Sequence, residues 1–128
     1  MRLLLDTHAF LWWLAGDVSL SESARAAVIE EGNAIFVSAA STREIATKHR
    51  LGKLPGANVI AADLDGAIES QGFLGLPITT RHGQIAGALP GPHRDPFDRM
   101  LIAQSISEDL VLVSNERGFD AYGVQRLW

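Results

Sequence analysis

The sequence predicts an α/β fold in which a central parallel sheet of four to five strands is flanked by helices. Short apolar runs alternate along the chain with longer segments of helical periodicity, an arrangement typical of parallel strands joined by crossover helices. The chain has 128 residues, of which 47% are hydrophobic and 20% are charged, values close to those of globular proteins. We therefore expect residues 1–128 to form a single domain with its own core.

Each predicted element depends on periodicity and on a start or stop residue. The runs "LLL", "AIFV" and "LVLV" are continuous and apolar, as expected for strands buried on both faces. Helices are indicated by apolar residues at helical spacing, with a stop such as Gly16 or an N-cap such as Asp95. In chain order, these patterns predict a strand over residues 3–5, helices over 7–15 and 20–30, a strand over 34–37, helices over 38–52 and 57–71, a weak strand over 73–78, helices over 81–88 and 95–108, a strand over 110–113 and a last strand beginning at 123.

Acidic residues follow several of the predicted strands. Asp6 comes directly after the first strand, and Glu44 lies near the start of the helix after "AIFV". Asp95 and Asp98 open a later helix, and Glu116 follows "LVLVSN". Ligands of open α/β sheets bind beyond the carboxyl ends of the strands. We therefore expect these acids to meet at one edge of the sheet.

Most of these acids also have a purely structural explanation. Ser41 and Glu44 match a capping box, with Ser41 as the N-cap. Asp95 and Asp98 occupy the N-cap and N3 positions of their helix, where acids are favoured. Asp6 is the hardest to explain in this way, because the threonine that follows it is itself a good N-cap residue.

Carboxylates that converge on one edge repel one another, so their pKa values rise or a cation lies among them. The chain has no cysteine, and its histidines are scattered, which leaves hard oxygen ligands and favours Mg²⁺ or Mn²⁺ over zinc. The net charge of −4 argues against a protein that coats duplex nucleic acid. It is compatible with an enzyme that meets phosphate through a metal ion.

Four blocks of sequence resemble the PIN-domain ribonucleases, and among them the VapC-type toxins of toxin–antitoxin pairs. The blocks are "LLLDTHAFLWWLAGD", "VSAASTREIATKHRLGKL", "HRDPFDRMLIAQS" and "LVSNERGFDAYGV", and they occur in family order over nearly the whole chain. The resemblance implies a PIN-like fold, with a parallel sheet wrapped by helices. It also implies metal-dependent cleavage of RNA by a cluster of acids.

The resemblance assigns roles to individual acids. Asp6, Glu44 and Asp98 match the first three acids of the family and are the predicted ligands of Mg²⁺, for which Mn²⁺ is expected to substitute. Asp95 is a nearby alternative to Asp98 in the same "DPFD" motif. Glu116 stands where the family usually has a fourth aspartate, and it completes the predicted catalytic set.

Other residues are candidates for supporting roles. Thr7 and Ser114 carry short hydroxyls at strand ends, suited either to binding a metal-bound water or a phosphate or to capping a helix. Arg94, Arg99 and Arg117 lie near the acids in sequence and are candidate phosphate contacts, although Arg99 is equally explained as a solvated helix residue.

The first helix carries Trp12 and Trp13 side by side. We expect one indole to face the core and the other to be exposed, where a partner or a second copy can cover it. The resemblance implies an antitoxin partner and a homodimer. No apolar stretch is long enough to span a membrane, and no cleavage site follows the first apolar run, so we expect a cytoplasmic protein that does not bind membranes.

Two other functions compete with an RNA-cleaving enzyme. A haloacid-dehalogenase-like phosphatase also carries an aspartate after its first strand, but it needs a second one two residues later, where this chain has His8. The second alternative is a catalytically weak or inactive PIN-fold module that binds RNA or protein. Glu116 favours this alternative, whereas the presence of Asp6, Glu44 and Asp98 argues against it.

Overall fold

The computed structural model describes residues Met1–Trp128 as a five-stranded parallel sheet with helices on both faces. This confirms the predicted α/β fold. The strands are β1 (Arg2–Leu5), β2 (Ala34–Ser38), β3 (Leu74–Leu76), β4 (Val111–Val113) and β5 (Arg126–Leu127). The helices are α1 (Thr7–Ala15), α2 (Glu22–Ile29), α3 (Ala39–Arg50), α4 (Asn58–Ala62), α5 (Leu64–Ser70), α6 (Thr80–Ala88) and α7 (Pro96–Glu108), with a 3₁₀ helix over Arg117–Tyr122.

The strand order is β3-β2-β1-β4-β5, and every neighbouring pair is parallel. After β1, the chain adds β2 and β3 on one side of this strand, and it then crosses to the other side of β1, where it forms β4 and β5. The order therefore reverses between β1 and β4. In an open parallel sheet, this reversal creates a crevice at the carboxyl ends of the two strands.

The core has two layers because side chains alternate along β1. Leu3 and Leu5 belong to the larger cluster, which also includes Phe10 of α1 and residues of α2 and α5. Leu4 faces the opposite side, where it packs with Leu101 of α7. All three β1 leucines are fully buried. The central strand is thus packed on both faces, and it holds the residue that follows it in a defined position.

The helix predicted over residues 57–71 is instead two short helices, α4 and α5. The break occurs at Asp63, whose backbone is extended (φ −152°, ψ 83°) and whose side chain accepts a hydrogen bond from the Gly66 amide at 2.9 Å. An N-cap requires a non-helical backbone, so this cap interrupts the helix. A Cβ atom at Gly66 would lie 2.3 Å from Oδ2 of Asp63, so the glycine permits the close approach.

The predicted cap at Ser41 is wrong. Helix α3 begins earlier, and its N-cap is Ser38, whose Oγ accepts a hydrogen bond from the Ala40 amide at 3.0 Å. Ser41 is buried inside the helix, where its Oγ accepts the hydroxyl proton of Thr7 at 3.0 Å. Glu44 therefore lies too far into the helix to act in a capping box.

The remaining differences concern the C-terminal part of the chain. The 3₁₀ helix Arg117–Tyr122 is not predicted by the sequence pattern, and it ends at Gly123 with a left-handed backbone (φ 73°). Since Gly123 serves as this helix end, the last strand begins later than predicted, at Arg126. No helix combines the length and the hydropathy that a membrane span requires.

Candidate active site

Five carboxylates line one cleft at the carboxyl ends of β1 and β4, at the reversal of strand order. The cleft has a volume of about 310 Å³. The acids are Asp6, Glu44, Asp95, Asp98 and Glu116, and the other lining residues are Thr7, His8, Trp12, Lys48, Asn115 and Phe119. The structure thus brings together the five acids that the sequence analysis selects as candidate site residues.

Asp6 forms the floor of the cleft. It is only 7% exposed, and it is the N-cap of α1, because its Oδ1 accepts a hydrogen bond from the Ala9 amide at 2.8 Å. Burial raises the pKa of Asp6 above its ordinary value of 3.8, against the lowering effect of hydrogen bonds from Ser114 and Ala9. The nearby charge of Asp98 raises this pKa further. This cap uses Oδ1 alone, and no helix amide donates to the second carboxylate oxygen.

The two predicted hydroxyl residues position neighbouring elements. Ser114 is fully buried, and its Oγ accepts the Glu116 amide at 3.0 Å. Thr7 donates its hydroxyl to Ser41 of α3. Both side chains therefore hold the elements that carry the acids, and Thr7 also lines the cleft.

Glu44 reaches the cleft from the second turn of α3. Its side chain is 12% exposed, and its Oε2 lies 3.0 Å from Nζ of Lys48, one turn later on the same helix. Lys48 is the only lysine or arginine among the residues that line the cleft. The ion pair partly neutralises one of the acids and places an ammonium group at the cleft wall.

Asp98 lies in the first turn of α7, and its Oδ2 accepts a hydrogen bond from Nε2 of His93 at 2.8 Å. Burial raises the pKa of Asp98, the hydrogen bond from His93 lowers it, and the charges of Asp95 and Glu44 raise it again. His93 was not among the predicted site residues. Its position five residues before the acid, in the "HRDPFD" block, is the only signal in the sequence that pointed to it.

The two remaining acids are engaged as caps. Asp95 is the N-cap of α7 and accepts hydrogen bonds from the amides of Phe97 and Asp98, at 2.8 Å and 3.3 Å. Glu116 caps the 3₁₀ helix by accepting the Gly118 amide at 2.8 Å. Both side chains are exposed at the rim of the cleft.

The donor set fits a hard divalent cation, since it consists of carboxylates in an open cleft where burial and mutual repulsion raise two pKa values. As the side chains stand, no three of them are grouped closely enough to hold one ion. Glu44 is turned towards Lys48, and Asp98 is turned towards His93. Joint coordination with Asp6 would require these two side chains to leave their present partners.

The PIN domain family model matches residues 3–125. The chain belongs to the PIN domain family. The match includes β2, β3, β4 and all of β1 except Arg2, stops just before β5, and includes all the acids of the cleft. No match was found among curated proteins.

Solved PIN domain structures share this fold at low sequence identity. VapBC2 from Rickettsia felis, bound to a DNA fragment from its promoter, superposes with a TM-score of 0.73 at 16% identity, over 99% of this chain and 98% of that one. FitAcB from Neisseria gonorrhoeae gives a TM-score of 0.64 at 20% identity, over 100% and 97%. VapC20 from Mycobacterium tuberculosis, a toxin that cleaves the sarcin-ricin loop, gives 0.66 at 19% identity, over 95% of both chains.

Within the PIN domain, Arg99 has a structural role that neither sequence interpretation anticipated. Its guanidinium donates to the backbone carbonyls of Ala86 at 3.1 Å and His93 at 3.0 Å, and also to that of Leu89. These carbonyls lie at the C-terminal end of α6 and in the loop before α7. Arg99 therefore ties that loop down and is neither a phosphate contact nor a solvated residue.

The expectation of one buried and one exposed tryptophan on α1 is wrong, since the indoles of Trp12 and Trp13 are both half-buried. Trp13 packs on Phe73 and donates its Nε1–H to Gln71 at 2.9 Å. Trp12 lies against Trp128, with ring centroids 5.8 Å apart. The C-terminal tryptophan thus covers the surface that we expected a partner to cover.

Proposed function

We propose that this PIN domain is a metal-dependent endoribonuclease, the toxin of a toxin–antitoxin pair, that hydrolyses RNA phosphodiester bonds. The observation that carries the proposal is the convergence of Asp6, Glu44 and Asp98 on one cleft from three separate segments. A structural explanation accounts for each acid alone. It does not account for the proximity of two carboxylates, the buried Asp6 and the half-buried Asp98, since the charge of Asp98 raises the pKa of Asp6.

In this proposal, Asp6, Glu44 and Asp98 hold Mg²⁺, with Mn²⁺ able to substitute, and Glu116 lies beside them. A bound Mg²⁺ lowers the pKa of a coordinated water and offsets the charge that develops on the phosphate. His93 holds the Asp98 carboxylate in place. Lys48 provides the positive charge at the wall of the cleft that a phosphate oxygen can approach.

The toxin assignment is supported by the similar solved structures, which include VapBC2 and FitAcB. The RNA substrate is supported by the likeness to VapC20, described as a toxin that cleaves the sarcin-ricin loop. As part of the same proposal, the chain acts in the cytoplasm, forms a homodimer and is neutralised by an antitoxin protein.

The test is the chemistry of the cleaved ends. Hydrolysis by an activated water needs no attack by the 2′-hydroxyl, so the products should carry 5′-phosphate and 3′-hydroxyl ends. End-labelling of RNA cleaved by the purified chain in Mg²⁺ distinguishes these from 2′,3′-cyclic phosphates, which would contradict the proposal. Asp6→Asn should abolish cleavage while leaving the fold intact, because asparagine is as good an N-cap as aspartate.

An inactive PIN-fold module that binds RNA or protein is the second candidate. The observation in its favour is that each proposed catalytic acid already has a partner. Asp6 and Glu116 are caps, Glu44 is in an ion pair, and Asp98 is bound to His93. If the protein is such a module, the Asp6→Asn variant should bind the partner as well as the native protein does. The native protein should also leave RNA uncut in both Mg²⁺ and Mn²⁺.

A further inference from the structure

The acid cleft has one aromatic wall. His8 and Trp12 lie one turn apart on α1, so both side chains are on the same face of the helix. Their rings are stacked, with centroids 5.5 Å apart and planes inclined by 28°. Trp12 also contacts Trp128, whose ring is inclined by 56° at a centroid distance of 5.8 Å. His8 is the exposed member of this group of rings, and it lines the cleft.

The other aromatic ring of the cleft is not available in the same way. Phe119 is 1% exposed, and the ring of His93 is stacked on it at 5.5 Å. The outer face of His8 has no aromatic partner, because Trp12 is the only ring that His8 contacts. An exposed ring with one open aromatic face is therefore part of the cleft lining, together with Asp6.

The charge of the cleft makes this face important for binding RNA. Five carboxylates and a single lysine line the cleft, and the whole chain carries a net charge of −4. Contacts of lysine and arginine with phosphates, which supply most of the affinity of typical nucleic-acid-binding proteins, are few here. Stacking of unpaired bases on aromatic side chains is the other general source of affinity, and it does not require a basic surface.

We propose that the outer face of His8 stacks on an unpaired nucleobase of a single-stranded RNA that lies in the cleft. His8 is two residues after Asp6, the N-cap of α1, so the stacked base belongs to a nucleotide next to the phosphate that meets the acids. Trp12 supports the other face of the histidine ring. This inference rests on the proposed function, because it assumes that RNA enters the cleft.

The test compares two ligands of equal charge. One is a fluorescein-labelled oligouridylate of about ten nucleotides, within the range that single-strand-binding grooves cover. The other is the abasic ribose-phosphate chain of the same length. Anisotropy titrations use the Asp6→Asn variant in Mg²⁺, so that the RNA is not cut. The oligouridylate should bind on the order of tenfold more tightly than the abasic chain, the effect of one stacked base.

Substitutions at His8 identify the source of that difference. Because His8 is exposed, His8→Gln should fold normally and should reduce the preference for bases to about that of the abasic chain. His8→Phe should restore the preference, since it keeps an aromatic ring and removes the polar nitrogens. His49→Gln is the matched control: His49 is on α3 outside the cleft and is hydrogen-bonded to Asn58, so the preference should be unchanged.

Equal binding of the two ligands by the Asp6→Asn variant, or an undiminished preference in His8→Gln, would overturn the stacking proposal. Cleavage of RNA by the native chain is measured separately. If that cleavage occurs while His8→Gln keeps its preference for bases, the nuclease proposal stands and only the stacking role falls. If neither ligand binds and no RNA is cut, both proposals fall.

Discussion

Nε2 of His93 lies 2.8 Å from Oδ2 of Asp98, and the imidazole is held between two aromatic rings. Phe119 stacks on one face at 5.5 Å, and Tyr122 meets the ring edge-on at 6.1 Å. The Tyr122 hydroxyl also accepts the backbone amide of His93 at 2.9 Å. The histidine is therefore positioned by the segment that follows β4, and it fixes in turn the orientation of an acid on α7.

His93→Gln should lower RNA cleavage by roughly 10- to 100-fold, as loss of a residue that orients a metal-binding carboxylate usually does. The reduction should be accompanied by a higher Mg²⁺ requirement, because Asp98 would no longer be held in place. Titration of the cleavage rate with Mg²⁺ measures both effects. His49→Gln, which removes a histidine hydrogen bond outside the cleft, should leave the titration unchanged. An unchanged Mg²⁺ requirement in His93→Gln would contradict the positioning role.

Asp6→Asn should raise the melting temperature of the metal-free protein at neutral pH. Burial raises the pKa of Asp6 in the folded state above 3.8, so the folded protein binds this proton more tightly than the unfolded chain does. The resulting stabilisation is fully present below pH 3.8 and is lost as the pH rises through the folded pKa. The advantage of Asp6→Asn should therefore be largest at neutral pH and should disappear on acidification.

Asp17 provides a control for the same experiment, because its pKa is shifted in the direction opposite to that of Asp6. A hydrogen bond from the Ser19 amide lowers the pKa of Asp17, so its stabilisation is present above pH 3.8 and is lost as the pH falls through the folded pKa. Asp17→Asn should therefore lower the melting temperature at neutral pH. Melting curves from pH 3 to 8 in EDTA, read against the ordinary aspartate value of 3.8, measure both variants. A lower melting temperature of Asp6→Asn than of the native protein at neutral pH would contradict the prediction. It would show that other groups already compensate the charge of Asp6.

Mg²⁺ or Mn²⁺ should stabilise the protein, because an ion that binds only the folded state shifts unfolding by mass action. At a hundredfold excess over Kd, the gain is about 2.7 kcal/mol. Thermal melts over a range of metal concentrations measure it. Asp6→Asn should lose most of the gain, whereas Asp65→Asn, an exposed acid on α5, should keep it. A native protein that shows no gain would favour the inactive-module candidate.

Arg99→Lys should destabilise the protein by about 2 kcal/mol, because charge-assisted hydrogen bonds contribute more than neutral ones and lysine cannot reach several carbonyls at once. The loop between α6 and α7 should also become more sensitive to protease. Urea unfolding and limited proteolysis measure the two effects. Arg94→Lys, at an exposed position of the same loop, should change the stability by less than about 0.5 kcal/mol. Equal stability of the two variants would contradict the tethering role.

The fold was predictable because strong local signals agree with the tertiary structure. The run "LLL" is packed on both faces in β1, and Gly16 ends α1 with a left-handed backbone (φ 63°). Asp95 is the N-cap of α7 as expected. The errors arise where two local signals compete. Both Ser38 and Ser41 are good N-cap residues. Strand β2 ends at Ser38, so the helix begins directly after it and Ser38 is the cap.

The candidate site was partly predictable for the same reason. The position of an acid relative to a strand end predicts the edge of the sheet on which it lies, and the acids do meet there. The partners of these acids depend on side-chain contacts between distant segments. The contact of His93 with Asp98 requires Phe119 and Tyr122 from the end of the chain, and no periodicity encodes it.

The placement of β1 at the centre of the sheet has a consequence for the order of folding. Leu3 of β1 pairs with Val111 of β4, a partner far away in the sequence. Contacts between distant segments form slowly, because the entropy of loop closure is lost before the contacts stabilise the chain. The crevice, which lies between the carboxyl ends of these two strands, therefore forms late, when the two distant segments have met.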